Sequence, residues 1–317
     1  MDLATSPLLQ RLSGARRILV SGTGGGYDLF AGLPLYLHLR KSAEAVFLAN
    51  LSFSDLGAGV GRPMTVALTQ VDADTEGPDD YFPERALSRW FRSRGEEVAV
   101  YCFKRTGVKT LLAGWRTLVE KLRLDAVVLA DGGTDSLMRG DEVGLGTPQE
   151  DLASIAAVHS LDLPCKVLSC LGFGIDAFDG VCHAQFLESV AALQRKKAFL
   201  GAFSLLPEME EARLFLEAVD YTVKTMPASP SVVTGCIASA LEGHFGNHHR
   251  TFRTTSNRLF ISPLMSMYWS FDLDAVARRC LYLKELLETE SYRDVERAIK
   301  DFRKSFPSMK SWENIPY

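Results

Sequence analysis

The chain has 317 residues, 47% of them hydrophobic and 23% charged, with a formal net charge of -4. Such a chain can bury a large core, and its slightly negative charge gives no general attraction to nucleic acid or anionic membranes. No segment approaches the roughly 20 apolar residues that span a bilayer, and no secretory leader precedes the cysteines. We therefore expect a cytoplasmic protein with free thiols and a small-molecule ligand, without nucleic-acid or membrane partners. The sequence leaves open whether the protein forms a homo-oligomer.

Short apolar runs alternate with amphipathic stretches through the first two-thirds of the chain, a pattern typical of successive βαβ units. It predicts an α/β fold with a Rossmann-like, doubly wound and mostly parallel sheet whose strands are all buried on both faces. The predicted strands are 17–21, 45–51, 98–103, 126–130, 166–170 and 198–203. The predicted helices between them are 29–41, 83–94, 108–122, 148–160 and 184–195.

The C-terminal third is predicted to be mainly helical. Helices are expected over 207–226, from Ser231 to about Gly243, and twice more after Asp272. We expect a core of residues 1–206 with a helical cap of residues 207–317 packed on it as one compact unit. Within the core, the run Thr147-Pro148-Gln149-Glu150 predicts a capping box at a helix start.

A glycine-rich turn follows the first predicted strand and precedes a helix. Glycines let backbone N–H groups approach a ligand closely, and a helix N-terminus favours an anion such as phosphate. Asp28, at the start of that helix, would oppose a pyrophosphate, so it is expected to bind a hydroxyl or amino group, or to hold a cation, unless it only caps the helix. The predicted ligand-binding residues here are Gly22, Thr23, Gly24, Gly25, Gly26 and Asp28.

This turn is a poor dinucleotide fingerprint. The spacing G-x-G-x-x-G would need glycine at Tyr27. The second strand also carries Asn50 near its end, where NAD-binding folds usually show an acid, and we include Asn50 among the ligand-binding candidates. An NAD-dependent oxidoreductase is therefore the lesser alternative.

A second loop, from Asp131 to Ser136, follows another apolar strand. Ligands bind beyond the carboxyl ends of parallel strands, so this loop and the glycine-rich turn can share one crevice. The loop also resembles the SGGxDS loop of ATP pyrophosphatases, which grips a nucleotide's pyrophosphate, although Asp131 stands where that loop has serine. The ligand-binding candidates in this loop are Gly132, Gly133, Thr134 and Ser136.

Acidic residues are dense in and after this loop. Carboxylates can hold Mg²⁺ or act as general acid or base, although aspartates also simply form turns. The predicted catalytic residues are Asp131 and Asp135 first, then Asp141 and Glu142. Mg²⁺ is the cofactor that this composition allows, and the sequence names no metal ligands beyond these acids.

A third permissive loop, with Gly172, Phe173 and Gly174, follows the strand after that and adds three ligand-binding candidates, unless it is an ordinary turn. His183 nearby is either a proton-transfer group or a packed core histidine. Downstream, one arginine among Arg250, Arg253 and Arg258 could close over an anionic substrate, although a solvated basic segment explains them as well.

Five segments of the chain resemble an uncharacterised family of prokaryotic proteins of unknown function that has a GxGGGxD start and a DGGTDS-type middle loop. The segments are SGTGGGYD, DGGTDSLMRGDE, GLGTPQED, SPSVVTG and ALEGHFGN. The resemblance covers most of the chain and implies no activity for Asp28, Asp131 or Asp135.

The residues favour an enzyme, a hydrolase or transferase, that acts on a small polar or phosphorylated metabolite, with a nucleotide among the candidates. Carboxylates or Mg²⁺ would assist the chemistry. The alternative from another class is a ligand-sensing protein that uses the same loops without turnover. A sensor needs only matched hydrogen bonds, whereas an enzyme needs a carboxylate with a perturbed pKa at the reactive atom.

Overall fold

A computed structural model describes residues 6–57 and 59–315 and shows an α/β protein with one nine-stranded sheet flanked by helices. The strands are β1 (Arg17–Gly22), β2 (Ala45–Ser52), β3 (Arg62–Thr65), β4 (Leu68–Val71), β5 (Val100–Lys104), β6 (Ala126–Asp131), β7 (Cys165–Leu171), β8 (Phe199–Ser204) and β9 (Met267–Asp272). The helices are α1 (Pro7–Leu12), α2 (Asp28–Leu39), α3 (Pro83–Ser93), α4 (Val108–Leu122), α5 (Pro148–His159), α6 (His183–Arg195), α7 (Glu210–Thr225), α8 (Val232–Leu241), α9 (Leu273–Ala277), α10 (Leu283–Leu287) and α11 (Tyr292–Ser305).

The strand order, β3-β4-β5-β2-β1-β6-β7-β9-β8, explains where a ligand can bind. The central strands β5, β2, β1, β6 and β7 are all parallel to their neighbours within this group. The chain runs outward from β1 through β2 to β5 and then returns to place β6 on the other side of β1. The connections after β1 and β6 therefore leave in opposite directions, which opens a crevice at the carboxyl ends of these two strands.

The core lies on both faces of the sheet, as expected for buried parallel strands. Successive residues of β1 alternate between the two faces. Leu19 packs with Trp115 and Leu129 on one face, and Val20 packs with Phe30 and Tyr268 on the other. All six cysteines are buried free thiols. Among the described residues, no helix is long and apolar enough to cross a membrane.

The prediction that every predicted strand is buried on both faces is wrong for β8. This strand is antiparallel to β9 at the edge of the sheet, and all six of its residues keep some exposure to solvent. An edge strand has a sheet neighbour on one side only, so less of it is covered.

The C-terminal third contributes to the sheet as well as to its helical surroundings. Besides helices α7 to α11 it supplies β9, which inserts between β7 and β8 and is antiparallel to both. The segment 1–206 and the segment 207–317 therefore share one sheet.

Candidate active site

Three predicted loops meet at one edge of the sheet. In the register of the parallel strands, Gly22 of β1 pairs with Ala130 of β6, and Asp131 of β6 pairs with Cys170 of β7. The segments 22–26, 132–134 and 172–174 follow these strands and so begin side by side. The structure thus brings the glycine-rich turn, the DGGTDS loop and the third loop together at the crevice between β1 and β6.

The glycine-rich turn uses much of its own hydrogen-bonding capacity inside the protein. Gly25 and Gly26 have φ angles of 97° and 61°, which glycine adopts readily. The amide of Thr23 donates to the carbonyl of Ala130 (3.0 Å), and that of Gly26 donates to the carbonyl of Leu51 (3.2 Å). The amide of Gly24 donates to Oδ2 of Asp28 (2.7 Å). The turn therefore presents a carboxylate to the crevice rather than a row of open amides.

Asn50 fixes the glycine-rich turn from the neighbouring strand β2. Its Nδ2 donates to the carbonyl of Gly26 and to Oε1 of Glu84, both at 2.8 Å. Glu84 is fully buried on α3, and burial raises the pKa of its carboxyl group. Glu84 was not among the predicted site residues, because its helix has the charge pattern of an exposed one.

Three aspartates from three different elements converge at the crevice. Asp28 is the first residue of α2, Asp131 is the last residue of β6, and Asp151 lies in the first turn of α5. One carboxylate oxygen from each lies within 4.8 Å of the other two, a spacing that a single metal ion can bridge. Asp28 is half-buried, and Asp131 and Asp151 are buried. In the sequence, Asp151 stands out only as part of a dense acidic run.

Two further aspartates border this group. Asp135 accepts hydrogen bonds at Oδ2 from the amide (2.7 Å) and hydroxyl (2.9 Å) of Thr147. Asp176, in the loop after β7, accepts from the amide of Thr134 (2.5 Å). We call Asp28, Asp131, Asp135, Asp151 and Asp176 the carboxylate cluster. Asp176 follows the third predicted loop directly, but it was not among the predicted site residues.

The predicted capping box at Thr147 is wrong, although α5 does start at Pro148. The hydroxyl of Thr147 donates to Asp135 instead of capping the helix. Oε1 of Glu150 accepts a hydrogen bond from the hydroxyl of Tyr292 (2.7 Å) rather than reaching back to the N-cap. The side chain of Thr147 thus links the start of α5 to the carboxylate cluster, whereas the sequence pattern predicted that it would cap the helix.

The carboxylate cluster is strongly perturbed by burial and by its own charge. Burial, and then repulsion from Asp135 and Asp176, raises the pKa of Asp28 from 3.8 to about 8, against the lowering effect of the Gly24 amide. Burial also raises the pKa of Asp131, Asp135, Asp151 and Asp176. Repulsion from neighbouring carboxylates adds to the shift at each of these four. Such shifts arise where acidic groups share a site without a compensating positive charge.

Several oxygens around the cluster have no hydrogen-bond partner among the described residues. They are Oδ1 of Asp151, Oδ1 of Asn50 and Oγ1 of Thr23. These three residues are at most 1% exposed, so water at the surface does not satisfy them. A buried oxygen left without a donor costs about 1–3 kcal/mol, and a cation would remove that cost for the oxygens that coordinate it.

The cluster also has no protein cation to balance it. Within residues 6–57 and 59–315, no lysine, arginine or histidine forms an ion pair with any of its five carboxylates. Only oxygen atoms are offered as ligands, which suits Mg²⁺, Mn²⁺ or Ca²⁺.

The other two predicted catalytic acids point to structural partners. Glu142 accepts hydrogen bonds from the amides of Arg139 and Gly140, and Asp141 forms ion pairs with Arg139 and Lys310. Asp141 is therefore paired with positive charge inside the protein, and Glu142 accepts hydrogen bonds from the backbone of the turn that precedes it. Ser136, one of the predicted ligand-binding residues, donates a hydrogen bond from its hydroxyl to Oδ2 of Asp131.

The raised pKa of Asp28 predicts how stability depends on pH in metal-free protein. Between pH 3.8 and about 8 the folded state keeps a proton that the unfolded chain releases. The free energy of unfolding should therefore fall as pH rises through this window, by up to about 1.4 kcal/mol per pH unit for one such proton. Urea denaturation of EDTA-treated protein at pH 5, 6.5 and 8 measures it. Asp28→Asn should make this fall less steep, because the other raised carboxyl groups of the cluster remain, and a wild-type stability that rises from pH 5 to 8 would contradict the assignment.

Comparison with known proteins gives one match. The model of the family described as "Protein of unknown function (DUF1152)" matches residues 65–304. This range contains Asp131, Asp135, Asp151 and Asp176 and begins after the glycine-rich turn. No curated protein and no solved structure matches the chain.

Proposed function

The chain belongs to the DUF1152 family of proteins of unknown function, and from its site we propose a divalent-cation-dependent enzyme that acts on a small phosphorylated metabolite by hydrolysis or group transfer. The observation that carries this proposal is the convergence of Asp28, Asp131 and Asp151, with one oxygen of each within 4.8 Å of the others. Mg²⁺ is the expected ion, because the ligands on offer are oxygens.

A cation also makes the site compatible with phosphate. Without one, a phosphate group that enters the crevice would meet five acidic side chains and no positively charged side chain of the cluster. Asp28, Asp131 and Asp151 would hold a divalent ion, which would supply positive charge for the phosphate and would polarise its P–O bonds, so that water or another acceptor could attack phosphorus and the ester oxygen could leave.

Asp176 is the best-placed acid or base for such chemistry. It belongs to the carboxylate cluster and also lines a neighbouring cavity. Its pKa is raised first by burial and then by Asp135 and Asp131, which favours a carboxyl group that can carry a proton and donate it to a leaving group. Asp135, held by Thr147, would keep the first turn of α5 in place.

Cation binding is the direct test. EDTA-treated protein should melt at a higher temperature when Mg²⁺ or Mn²⁺ is added, and K⁺ at matched ionic strength should give no such shift. A ligand at 100 times its dissociation constant stabilises by about 2.7 kcal/mol, which thermal denaturation resolves readily. No response to Mg²⁺, Mn²⁺ or Ca²⁺ would refute the proposal.

Turnover separates an enzyme from the alternative, a sensor. Phosphate monoesters, diesters and nucleotides incubated with the protein and Mg²⁺ should yield inorganic phosphate or a transferred phosphoryl group from at least one class. Addition of EDTA should stop the reaction. Mg²⁺-dependent binding of a phosphate ester without any turnover would instead support a ligand-sensing protein.

A further inference from the structure

A cavity of about 570 Å³ lies directly beside the carboxylate cluster. It is enclosed by the loop after β7, the first turns of α8 and the segment 253–265. Most of its wall is apolar, including Phe173, Val232, Ile261 and Met265. A cavity of this size can enclose most of a drug-sized molecule, and an apolar wall favours an apolar body.

Two residues join the cavity to the carboxylate cluster. Asp176 lines the cavity, and its carboxylate accepts a hydrogen bond from the amide of Thr134 in the DGGTDS loop. Val233 also lines the cavity. A Cβ atom added to Gly132 would lie 3.0 Å from Cγ1 of Val233 and 2.7 Å from Oδ1 of Asp28. The backbone of Gly132 therefore lies between Val233 of the cavity wall and Asp28 of the cluster.

Positive charge also lines the cavity. Arg253 and Arg258 line the cavity and are exposed. Nη1 of Arg253 donates to the carbonyl of Pro230 (3.0 Å), which fixes its guanidinium near the start of α8. An anionic group in the cavity would thus have these arginines in the wall, and a cation held by the cluster beside it, to balance its charge. Of the three arginines that the sequence offers for an anion, Arg253 and Arg258 therefore share this wall, whereas Arg250 pairs with Asp220 and Glu242.

The rim of the cavity is unusually apolar for a surface. Phe178 and Phe260 line it and are 56% and 62% exposed, and Ile315 is 48% exposed. Single exposed apolar residues are ordinary, but three around one cavity favour the entry of an apolar group.

We propose that the substrate is an amphiphilic organic phosphate: its apolar chain or ring lies in the cavity, and its phosphate lies between the carboxylate cluster and Arg253 and Arg258. This inference rests on the proposed function for the cation and the phosphate, and adds the apolar body. It distinguishes the substrate from sugar phosphates and other polar esters, which would leave the apolar wall unfilled.

Alkyl phosphates of graded length are the test. Butyl, pentyl and hexyl phosphate are titrated against the Mg²⁺-loaded protein by calorimetry, each below its micellar concentration. Each added methylene should strengthen binding about fourfold, the free energy of burying one such group. Inorganic phosphate should bind more weakly than any of them, and hexanol should bind more weakly than hexyl phosphate.

Variants locate the apolar body. Val232→Trp should fill the cavity and reduce the gain from butyl to hexyl phosphate at least fivefold. Val66→Trp, the same change at a position 80% exposed between β3 and β4, should leave it unchanged. Leu264→Trp, at a partly exposed position of the cavity wall, provides a second filling variant if Val232→Trp does not fold. The double change of Arg253 and Arg258 to Ala should weaken hexyl phosphate more than hexanol.

The outcomes separate this inference from the proposed function. Equal affinity for the three alkyl phosphates, with a normal Mg²⁺ response, would overturn the apolar body and leave the cation-dependent enzyme standing. Tighter binding of adenosine monophosphate than of hexyl phosphate would overturn it in favour of a nucleotide. Chain-length dependence without any Mg²⁺ response would refute the proposed function instead.

Discussion

Replacing Asp131 by Asn is expected to weaken Mg²⁺ or Mn²⁺ binding by at least about 100-fold, or 2.7 kcal/mol. The variant keeps the shape of the side chain but removes one of three carboxylates that converge within 4.8 Å. In a buried site the attraction between a carboxylate and a divalent ion is weakly screened, so losing one negative ligand is costly. Calorimetric titration of EDTA-treated protein with Mn²⁺ measures the change, and phosphate-ester turnover should fall with it.

The same variant should be more stable than the wild type when no cation is present. Burial and the neighbouring carboxylates raise the pKa of Asp131, so its negative charge is unfavourable in the folded protein. Asparagine removes that repulsion. Asp141→Asn is the matched control, because Asp141 is also buried but pairs with Arg139 and Lys310. It should retain cation binding. Normal cation binding in Asp131→Asn would show that this aspartate has only a structural role.

The parallel part of the fold was predictable because its signal is local. A strand buried on both faces is a continuous apolar run, and each such run from 17–21 to 166–170 overlaps an observed strand of the sheet. The predicted helix 108–122 coincides with α4. Once the sheet is parallel, all three permissive loops must start at the same edge, so the crevice follows from the sequence as well.

The antiparallel additions could not be predicted in the same way. Strands β3 and β4 have four residues each, too short for a periodic pattern. Strand β9 (Met267–Asp272) pairs with β7 and β8, which are distant in sequence, and no local pattern indicates which strands it joins. Long-range pairing of this kind depends on how the whole chain packs.

The residues of the candidate site divide in the same way into those that a local pattern predicts and those that depend on packing. Asp28 closes the glycine-rich turn after one strand and Asp131 ends another, so their positions were predictable. Asp151 lies in the first turn of a helix, where aspartate is common for dipole reasons alone, and only the packing of α5 brings it to the other two. The sequence does show a helix start with Asp151 in its first turn. A local pattern, however, cannot distinguish an acid that stabilises the helix start from one that binds a metal ion.

Changing Gly24 to Ala should weaken cation binding at least tenfold while leaving the fold intact. The amide of Gly24 holds Asp28, and a Cβ on Gly24 would lie 2.6 Å from Oδ1 of Asp151 and 2.9 Å from its Oδ2. Both distances are too short, so the carboxylate of Asp151 must move away from the cluster. Gly24 does not have a positive φ, so alanine fits its backbone, and the damage should be confined to the site.

Two other glycine variants make this test specific. Gly14→Ala introduces a Cβ that meets nothing within 4 Å and should leave cation binding unchanged. Gly25→Val, by contrast, combines a φ of 97° with a Cβ only 2.7 Å from the carbonyl oxygen of Leu51, so it should lower the melting temperature markedly. Gly24→Ala should therefore lose its Mn²⁺-dependent rise in melting temperature while its metal-free melting temperature stays near that of the wild type. If Gly24→Ala binds Mn²⁺ as tightly as Gly14→Ala, then Asp151 is not a ligand, and the cation would have to be held by Asp28 and Asp131 without it.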